Sequence, residues 1–171
     1  LAGIDKETID KYSDIVIEQN KNKVYRITRR AVEFHKKNGY KIFFISGSPM
    51  FLVEHFGQIY GADESISTIY EFDNANLFTG KVTPMWDNRS KLGAVMDLSK
   101  KYNIDLDNSY AYGDTNGDIS MFQLVGHPHA INPSFELIDK LYTDSELREK
   151  TVIDIERKDV NYSFRLNDMK A

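Results

Sequence analysis

The chain has 171 residues, of which 41% are hydrophobic and 28% charged, and its formal net charge at pH 7 is −4. These values are ordinary for a globular protein and allow one domain, or one domain with a small additional lobe. The 22 basic residues are scattered along the chain, which argues against a nucleic-acid-binding surface. Cysteine is absent, which excludes disulfides and thiolate chemistry and favours a reducing, cytoplasmic location.

The sequence also argues against a membrane protein. Its longest apolar runs, at 42–45 and 50–53, are far too short to cross a bilayer. The first residues do not have the basic and apolar pattern of a signal peptide. The chain starts with Leu1 rather than methionine, and we expect it to be part of a longer protein.

Hydrophobic spacing and turn signals predict helices that alternate with short strands. In chain order the predicted elements are helix 5–19 with Asp5 as its cap, helix 24–38, strand 41–46, a helix from 49 to about 56, a β-rich hairpin-like segment at 66–83, helix 88–102, strand 109–112, helix 116–125, strand 129–131, a helix from Pro133 to 142, and an edge strand at 151–155. This alternation predicts an α/β fold, a Rossmann-like open and mostly parallel sheet with helices on both faces. In such folds ligands bind beyond the carboxyl ends of the strands, so the residues that follow the strands are the first candidates for a site.

The segment after the strand at 41–46, Ser46-Gly47-Ser48-Pro49, has the composition of a phosphate cradle. A hydroxyl and a glycine amide at the start of a helix attract anions, because helix N-termini present N–H groups without partners. The alternative is an ordinary turn in which Ser48 caps the helix that Pro49 begins. The segment alone does not decide between the two.

The segment after the strand at 109–112 contains two carboxylates, Asp114 and Asp118, on a turn that includes Gly113. Carboxylates at a strand end suit a hard cation such as Mg²⁺, which needs only one or two of them together with water and a substrate phosphate. The alternative is a polar turn in which Asp114 caps the following helix.

A third candidate is Lys91, in the first turn of the helix at 88–102. A cation there is slightly unfavourable, because the N-terminus of a helix carries a partial positive charge. That small penalty hints at a functional reason for the lysine, whereas the ordinary alternative is a side chain that points into solvent.

Together and in this order, these segments resemble the haloacid dehalogenase superfamily of phosphatases, and within it the phosphoserine-phosphatase-like subgroup. The segment from Ile45 to Pro49 is similar to the family's second motif, Lys91 to its third, and 111–118 to its fourth. Thr79-Gly80 resembles the hairpin of the subgroup, and 126–133 resembles the segment that follows its fourth motif. Agreement of several motifs in order is far more specific than any one of them.

The resemblance implies a role for each candidate residue. Ser46 and the amide of Gly47 would hydrogen-bond the transferring phosphoryl group, and Lys91 would neutralise its charge. Asp114 would ligate Mg²⁺, and Asp118 would support the metal site. The implied activity is Mg²⁺-dependent hydrolysis of a small phosphorylated metabolite through an aspartyl-phosphate.

The family's first motif, a strand that ends in Asp-x-Asp-x-Thr, is absent from the residues before Ser46. In the family its first aspartate attacks phosphorus and its second is the general acid and base. The segment from Asp105 to Ser109 matches this pattern superficially, but it follows polar residues rather than an apolar strand, and we interpret it as a loop. We therefore expect the nucleophile to lie outside this chain.

The resemblance also implies domain limits, with 1–23 as the C-terminal part of a helical cap and 24–171 as the α/β core, including a β-hairpin excursion around 66–83. If the first core strand lies outside the chain, the strands at 41–46 and 109–112 would form sheet edges. We therefore expect the chain alone to be inactive. We also expect it to be unstable alone, or to pair with another copy or with the missing N-terminal segment.

Two other functions stay open from the sequence: a non-catalytic, phosphate-binding or regulatory domain, and phosphotransfer to an acceptor other than water. The expected partner is a small phosphorylated metabolite, and neither nucleic acid nor a membrane; a fold alone does not identify the substrate. His127 and His129 are interpreted as a loop residue and a strand residue rather than metal ligands. Trp86 is interpreted as a core or cap-contact residue.

Overall fold

The computed structural model describes residues 2–158 and 160–169, and within them the chain forms a mixed α/β fold. The helices are α1 Lys6–Asn20, α2 Arg26–Lys37, α3 Met50–Tyr60, α4 Asn88–Tyr102, α5 Ile119–Leu124, α6 Phe135–Thr143 and α7 Ser145–Lys150. The strands are β1 Phe43–Pro49, β2 Glu64–Phe72, β3 Phe78–Thr83, β4 Tyr110–Gly113, β5 His127–Ile131, β6 Val152–Arg157 and β7 Val160–Arg165. The chain divides into two compact units, Leu1–Trp86 and Asp87–Ala171, whereas the boundary between cap and core near residue 23 stays a prediction.

The first unit is built on a three-stranded sheet in the order β1-β2-β3. β1 and β2 run parallel with α3 packed against both, and β3 returns antiparallel to β2 as the predicted hairpin. Asp5 caps α1 as predicted, because its carboxylate accepts a hydrogen bond from the backbone N–H of Thr8 at 2.8 Å. α1 contacts α3, and its residues Ile9 and Ile17 are buried.

The strand that carries the candidate phosphate cradle extends further than predicted. β1 pairs regularly with β2 as far as Ser46, and the pairing resumes with Pro49 opposite Thr68. Gly47 and Ser48 are therefore extra residues in a bulge at the carboxyl end of the strand. Bulges of this kind re-aim side chains and occur next to active sites.

The second unit is built on a four-stranded sheet in the order β4-β5-β6-β7, parallel except for β7, which is antiparallel to β6. Its core packs apolar side chains from the sheet against the helices that follow the strands. The buried members of this core are Phe122, Ala130, Leu137, Leu141, Leu147, Ile153 and Leu166. The carboxyl end of β4 leads directly into the turn that contains both candidate carboxylates.

The strand order shows which strands lie at the edges of the two sheets. β1 is a terminal strand of its sheet and β4 is a terminal strand of the other, as expected for the strands at 41–46 and 109–112. The strand expected at 151–155 is confirmed as β6, but its expected place at the edge of the sheet is wrong, because β7 pairs with β6 along its whole length. β7 escapes sequence-based prediction because most of its residues are exposed and its apolar pattern is weak.

Apart from α4, which matches the predicted helix at 88–102, the helices of the second unit differ in detail from those predicted. The predicted helix at 116–125 is a 3₁₀ turn, Asn116–Asp118, followed by α5. α6 begins at Phe135 with Ser134 as its cap rather than at Pro133, and the short α7 lies outside the predicted elements. No helix in the described part of the chain is both long enough and apolar enough to cross a membrane.

Candidate functional site

The bulge at the end of β1 presents a hydroxyl and backbone N–H groups. The backbone N–H of Ser48 donates a hydrogen bond to Ser46 Oγ at 3.2 Å. A hydroxyl has one hydrogen to donate, so the Ser46 O–H can still donate to another group. Pro49, the residue before α3, makes no side-chain capping bond, and the alternative in which Ser48 caps this helix is wrong.

Gly47 is held in place through the hydroxyl of Thr68, which is 1% exposed. Thr68 Oγ1 donates to the carbonyl oxygen of Gly47 at 2.8 Å and accepts from the backbone N–H of Met85 at 3.1 Å. A Cβ added to Gly47 would lie only 2.9 Å from Trp86 Cβ, so this position requires glycine. Trp86 is 57% exposed, so its interpretation as a core residue is wrong, and its interpretation as a cap-contact residue stays a prediction.

In the second unit, Lys91 and Asp118 form a buried ion pair with Lys91 Nζ 2.5 Å from Asp118 Oδ1. Lys91 is 8% exposed and Asp118 is 3% exposed. The alternative in which Lys91 points into solvent is therefore wrong. The pair links the first turn of α4 to the turn after β4, where the two candidate carboxylates lie.

The other oxygen of Asp118 organises the turn after β4. Asp118 Oδ2 accepts hydrogen bonds from the backbone N–H of Asp114 at 3.0 Å, from the backbone N–H of Thr115 at 3.0 Å and from Thr115 Oγ1 at 3.2 Å. Thr115 is the residue that caps the 3₁₀ turn, so the alternative in which Asp114 is the cap is wrong. A Cβ on Gly113 would lie 2.6 Å from the Asp118 side chain, so this position also requires glycine.

Asp114 differs from Asp118 in its partners. Among residues 2–158 and 160–169, no other residue donates a hydrogen bond to its carboxylate, although its backbone is held by Asp118 and by the N–H of Ser134. Desolvation raises the pKa of Asp114, the negative charge of Asp118 raises it further, and Lys91 opposes both effects. The ionised Asp114 carboxylate therefore lacks a counter-charge of its own.

A carboxylate in this state suits a hard cation. Mg²⁺ needs only one or two protein carboxylates, because water and substrate phosphate complete its coordination. Asn116 Oδ1, in the same turn, is a second oxygen that is buried and accepts no hydrogen bond in the described structure. No group of three or more histidine, aspartate or glutamate side chains that could hold a metal occurs among the described residues. The turn thus fits a cation that is held in part by other ligands.

The structure brings together three of the five predicted site residues. Lys91, Asp114 and Asp118 lie around one turn of the second unit, whereas Ser46 and Gly47 lie in the first unit. The sequence did not reveal that Thr68 and Trp86 hold Gly47 in place, because neither residue belongs to a recognised motif.

Two segments that mimic functional motifs have structural roles. Asp105 accepts hydrogen bonds from the backbone and side chain of Asn108, which confirms that 105–109 is a loop. His127 and His129 both lie on β5, so the loop assignment of His127 is wrong. His129 Nδ1 lies 2.7 Å from Asp154 Oδ2, a hydrogen bond between neighbouring strands of the sheet.

Comparison with known proteins assigns the chain to a family. The profile of the haloacid dehalogenase-like hydrolases matches residues 1–123, a range that includes the five predicted site residues. The chain is 32% identical over 110 residues to the "inhibition of morphological differentiation protein" of Streptomyces azureus, covering 64% of this chain and 40% of that protein. It is 28% identical over 127 residues to phosphoserine phosphatase SerB1 of Mycobacterium tuberculosis, covering 74% of this chain and 40% of that protein.

A solved structure shows the same likeness in three dimensions. The phospho-aspartyl intermediate analogue of a phosphoserine phosphatase superposes with a TM-score of 0.59 at 25% identity, covering 77% of this chain and 58% of the other. The chain spans about 40% of the length of the curated relatives named above. The chain belongs to the haloacid dehalogenase-like hydrolase family and is phosphoserine-phosphatase-like in sequence and fold.

Proposed function

We propose that the protein from which this chain comes is a Mg²⁺-dependent phosphomonoester hydrolase. The observation that carries the proposal is the turn after β4, where both oxygens of Asp118 are occupied by Lys91 and the turn, while no other residue in the described part of the chain donates to the Asp114 carboxylate. Membership in a hydrolase family whose relatives include a phosphoserine phosphatase supports it. The reaction cleaves the phosphorus–oxygen ester bond with water and yields an alcohol and inorganic phosphate.

In this proposal Asp114, Asp118 and Lys91 have different roles. Asp114 would hold the Mg²⁺, which when bound would neutralise negative charge on the phosphoryl group. Asp118 holds Lys91 and the backbone of the turn in place, and it acts on the metal site through Asp114. Lys91 would offset the charge of the phosphoryl oxygens, because a buried ammonium interacts strongly with an anion in a region of low dielectric constant.

The cradle at the end of β1 would bind the phosphoryl oxygens in the same reaction. The Ser46 hydroxyl and the Gly47 amide are the proposed donors. The Ser46 oxygen already accepts a hydrogen bond from the backbone N–H of Ser48. The hydrogen of the Ser46 hydroxyl can therefore be donated to the substrate. Fixed donors of this kind position the phosphoryl group and stabilise the charge that develops during transfer.

We further propose that an aspartate outside this chain attacks phosphorus and forms an aspartyl-phosphate that water then hydrolyses. A related solved structure is described as the phospho-aspartyl intermediate analogue of a phosphoserine phosphatase, which supports this route. The substrate class is a small phosphorylated metabolite. The cytoplasmic location, and pairing with another copy or with a missing N-terminal segment, stay predictions.

The test is release of inorganic phosphate by the protein expressed from its complete reading frame. Small phosphomonoesters, including O-phosphoserine, are incubated with Mg²⁺ and, in parallel, with EDTA, and the alcohol product is measured with the phosphate. We expect equal amounts of alcohol and phosphate that disappear with EDTA. Failure to hydrolyse any ester in Mg²⁺ would contradict the proposal, and alcohol without matching phosphate would indicate transfer to another acceptor.

A further inference from the structure

We propose that Trp86 forms one wall of the substrate site beside the Ser46-Gly47 cradle and favours phosphomonoesters with a flat, apolar leaving group, such as an aryl group. The proposal rests on the proposed function, because it assigns a preference to the same site. It makes Trp86 a specificity-determining residue that takes no part in the chemistry of phosphoryl transfer.

The position of Trp86 is the first support. A Cβ added to Gly47 would lie 2.9 Å from Trp86 Cβ and 3.3 Å from Trp86 Cα, so the base of the tryptophan lies against the glycine whose amide is a proposed phosphate donor. An ester whose phosphoryl group is bound by this amide would extend its leaving group from the same place. The tryptophan is therefore within reach of that group.

The way Trp86 is held is the second support. Thr68, 1% exposed, bridges the Gly47 carbonyl and the Met85 backbone N–H, and it thereby fixes the segment next to Trp86 against the cradle. Tryptophan is highly buried on average in folded proteins, yet this side chain is 57% exposed. A fixed backbone with an exposed indole next to a proposed ligand site offers a ready surface for stacking.

The indole ring of Trp86 favours a flat, apolar leaving group. A flat apolar group can stack on its face, and such contacts are favourable beyond the area they bury. A cationic group could also bind over the ring, but recognition of ammonium groups uses cages of several aromatic rings. No other ring in the described residues contacts Trp86, so no aromatic cage is built around it, and 57% of the residue is exposed.

The kinetic test compares phenyl phosphate with ethyl phosphate in the protein from its complete reading frame. Trp86→Leu keeps apolar bulk and removes the flat face, Trp86→Phe keeps a ring, and Phe34→Leu is the control, an aromatic on α2 that is 55% exposed. We expect Trp86→Leu to raise KM for phenyl phosphate about tenfold, with KM for ethyl phosphate and both kcat values within about twofold. We expect Trp86→Phe to recover most of the loss and Phe34→Leu to change neither ester.

Equal losses for both esters in Trp86→Leu would show a merely structural role and overturn the proposal, as would no loss for either. If the wild-type protein hydrolyses neither of these two esters, binding decides the role of Trp86, whereas hydrolysis of the wider set of phosphomonoesters, including O-phosphoserine, decides the proposed function. The part of the tryptophan emission that is present in the wild-type protein and lost in Trp86→Phe reports on this residue. Quenching at lower concentrations of phenyl phosphate than of ethyl phosphate supports the proposal, and identical titrations of the two contradict it.

Discussion

Lys91 and Asp118 form a buried ion pair, with Nζ 2.5 Å from Oδ1, although they lie 27 residues apart in the chain. The same carboxylate accepts three hydrogen bonds from Asp114 and Thr115. Since both of its oxygens are occupied, Asp118 fixes α4 and the turn after β4 relative to each other. Asp118 therefore supports the turn, whereas the Asp114 carboxylate accepts no hydrogen bond from another described residue and is available to a ligand.

The ion pair predicts how stability and activity separate at Lys91. Lys91→Met removes the ammonium but keeps an apolar chain, so Asp118 Oδ1 is left buried without its cation. We expect the free energy of unfolding to fall by about 3 kcal/mol and hydrolysis to fall by roughly a hundredfold or more. Urea denaturation and phosphate release measure the two effects.

The double variant Lys91→Met with Asp118→Asn isolates the chemical effect. Removing both charges relieves the unpaired buried carboxylate, so we expect part of the lost stability to return while activity stays low. Recovery of activity along with stability would show that Lys91 acts only by holding the fold.

Gly113 is predicted to tolerate no side chain. A Cβ at this position would lie 2.6 Å from Cβ, Cγ and Oδ2 of Asp118, so Gly113→Ala has to displace the carboxylate that holds the turn. We expect a loss of at least about 2 kcal/mol in stability and a loss of phosphate release. The matched control is Gly93→Ala on α4, where an added Cβ meets nothing within 4 Å and helix propensity predicts a gain of up to about 1 kcal/mol. Equal effects of the two substitutions would contradict the close approach.

The raised pKa of Asp114 predicts a stability effect with a definite sign. In the metal-free protein, desolvation and the charge of Asp118 disfavour the ionised form in the folded state. Asp114 therefore destabilises the fold above the ordinary aspartate pKa of about 3.9, and the penalty vanishes at lower pH, where both states are protonated. We expect Asp114→Asn to be more stable than wild type at pH 7 without Mg²⁺ and to match it near pH 3. Denaturation curves at the two pH values test this, and a less stable variant at pH 7 would refute it.

Asp154 predicts the opposite dependence on pH. Burial raises its pKa, but hydrogen bonds from His129 and Ser163 outweigh burial and leave the pKa lowered. The stabilising contribution is therefore present above about pH 4 and is lost as the pH falls through the lowered folded-state pKa. We expect Asp154→Asn to cost about 2 kcal/mol near pH 6, with the difference from wild type shrinking in acid. Thermal unfolding across this range measures it, and a difference that grows in acid would contradict the assignment.

Local sequence signals predicted much of the fold. The bounds of α4 match the predicted helix at 88–102, and Asp5 caps α1 as expected, because caps and apolar spacing act over a few residues. β7 was beyond prediction because an exposed strand carries little hydrophobic pattern and is defined by its pairing with β6.

The site was predictable as a set of residues but not as a set of contacts. The burial of Lys91 depends on Asp118, and no property of the first turn of α4 reveals that partner. The roles of the two aspartates separate only when the hydrogen bonds of the turn are known. Likewise, the contact of Trp86 with Gly47 depends on the Thr68 bridge, which joins residues from separate parts of the chain.

We propose that Asp114 binds the Mg²⁺ on which phosphomonoester hydrolysis depends. The most direct test is phosphate release from an aryl phosphate, over a range of Mg²⁺ concentrations, by wild type and Asp114→Asn from the complete reading frame. Asp139→Asn, an exposed position on α6, serves as the control for loss of one carboxylate. This role of Asp114 predicts Mg²⁺-dependent turnover in wild type and Asp139→Asn and none in a folded Asp114→Asn protein. Undiminished, Mg²⁺-dependent turnover by Asp114→Asn would contradict it.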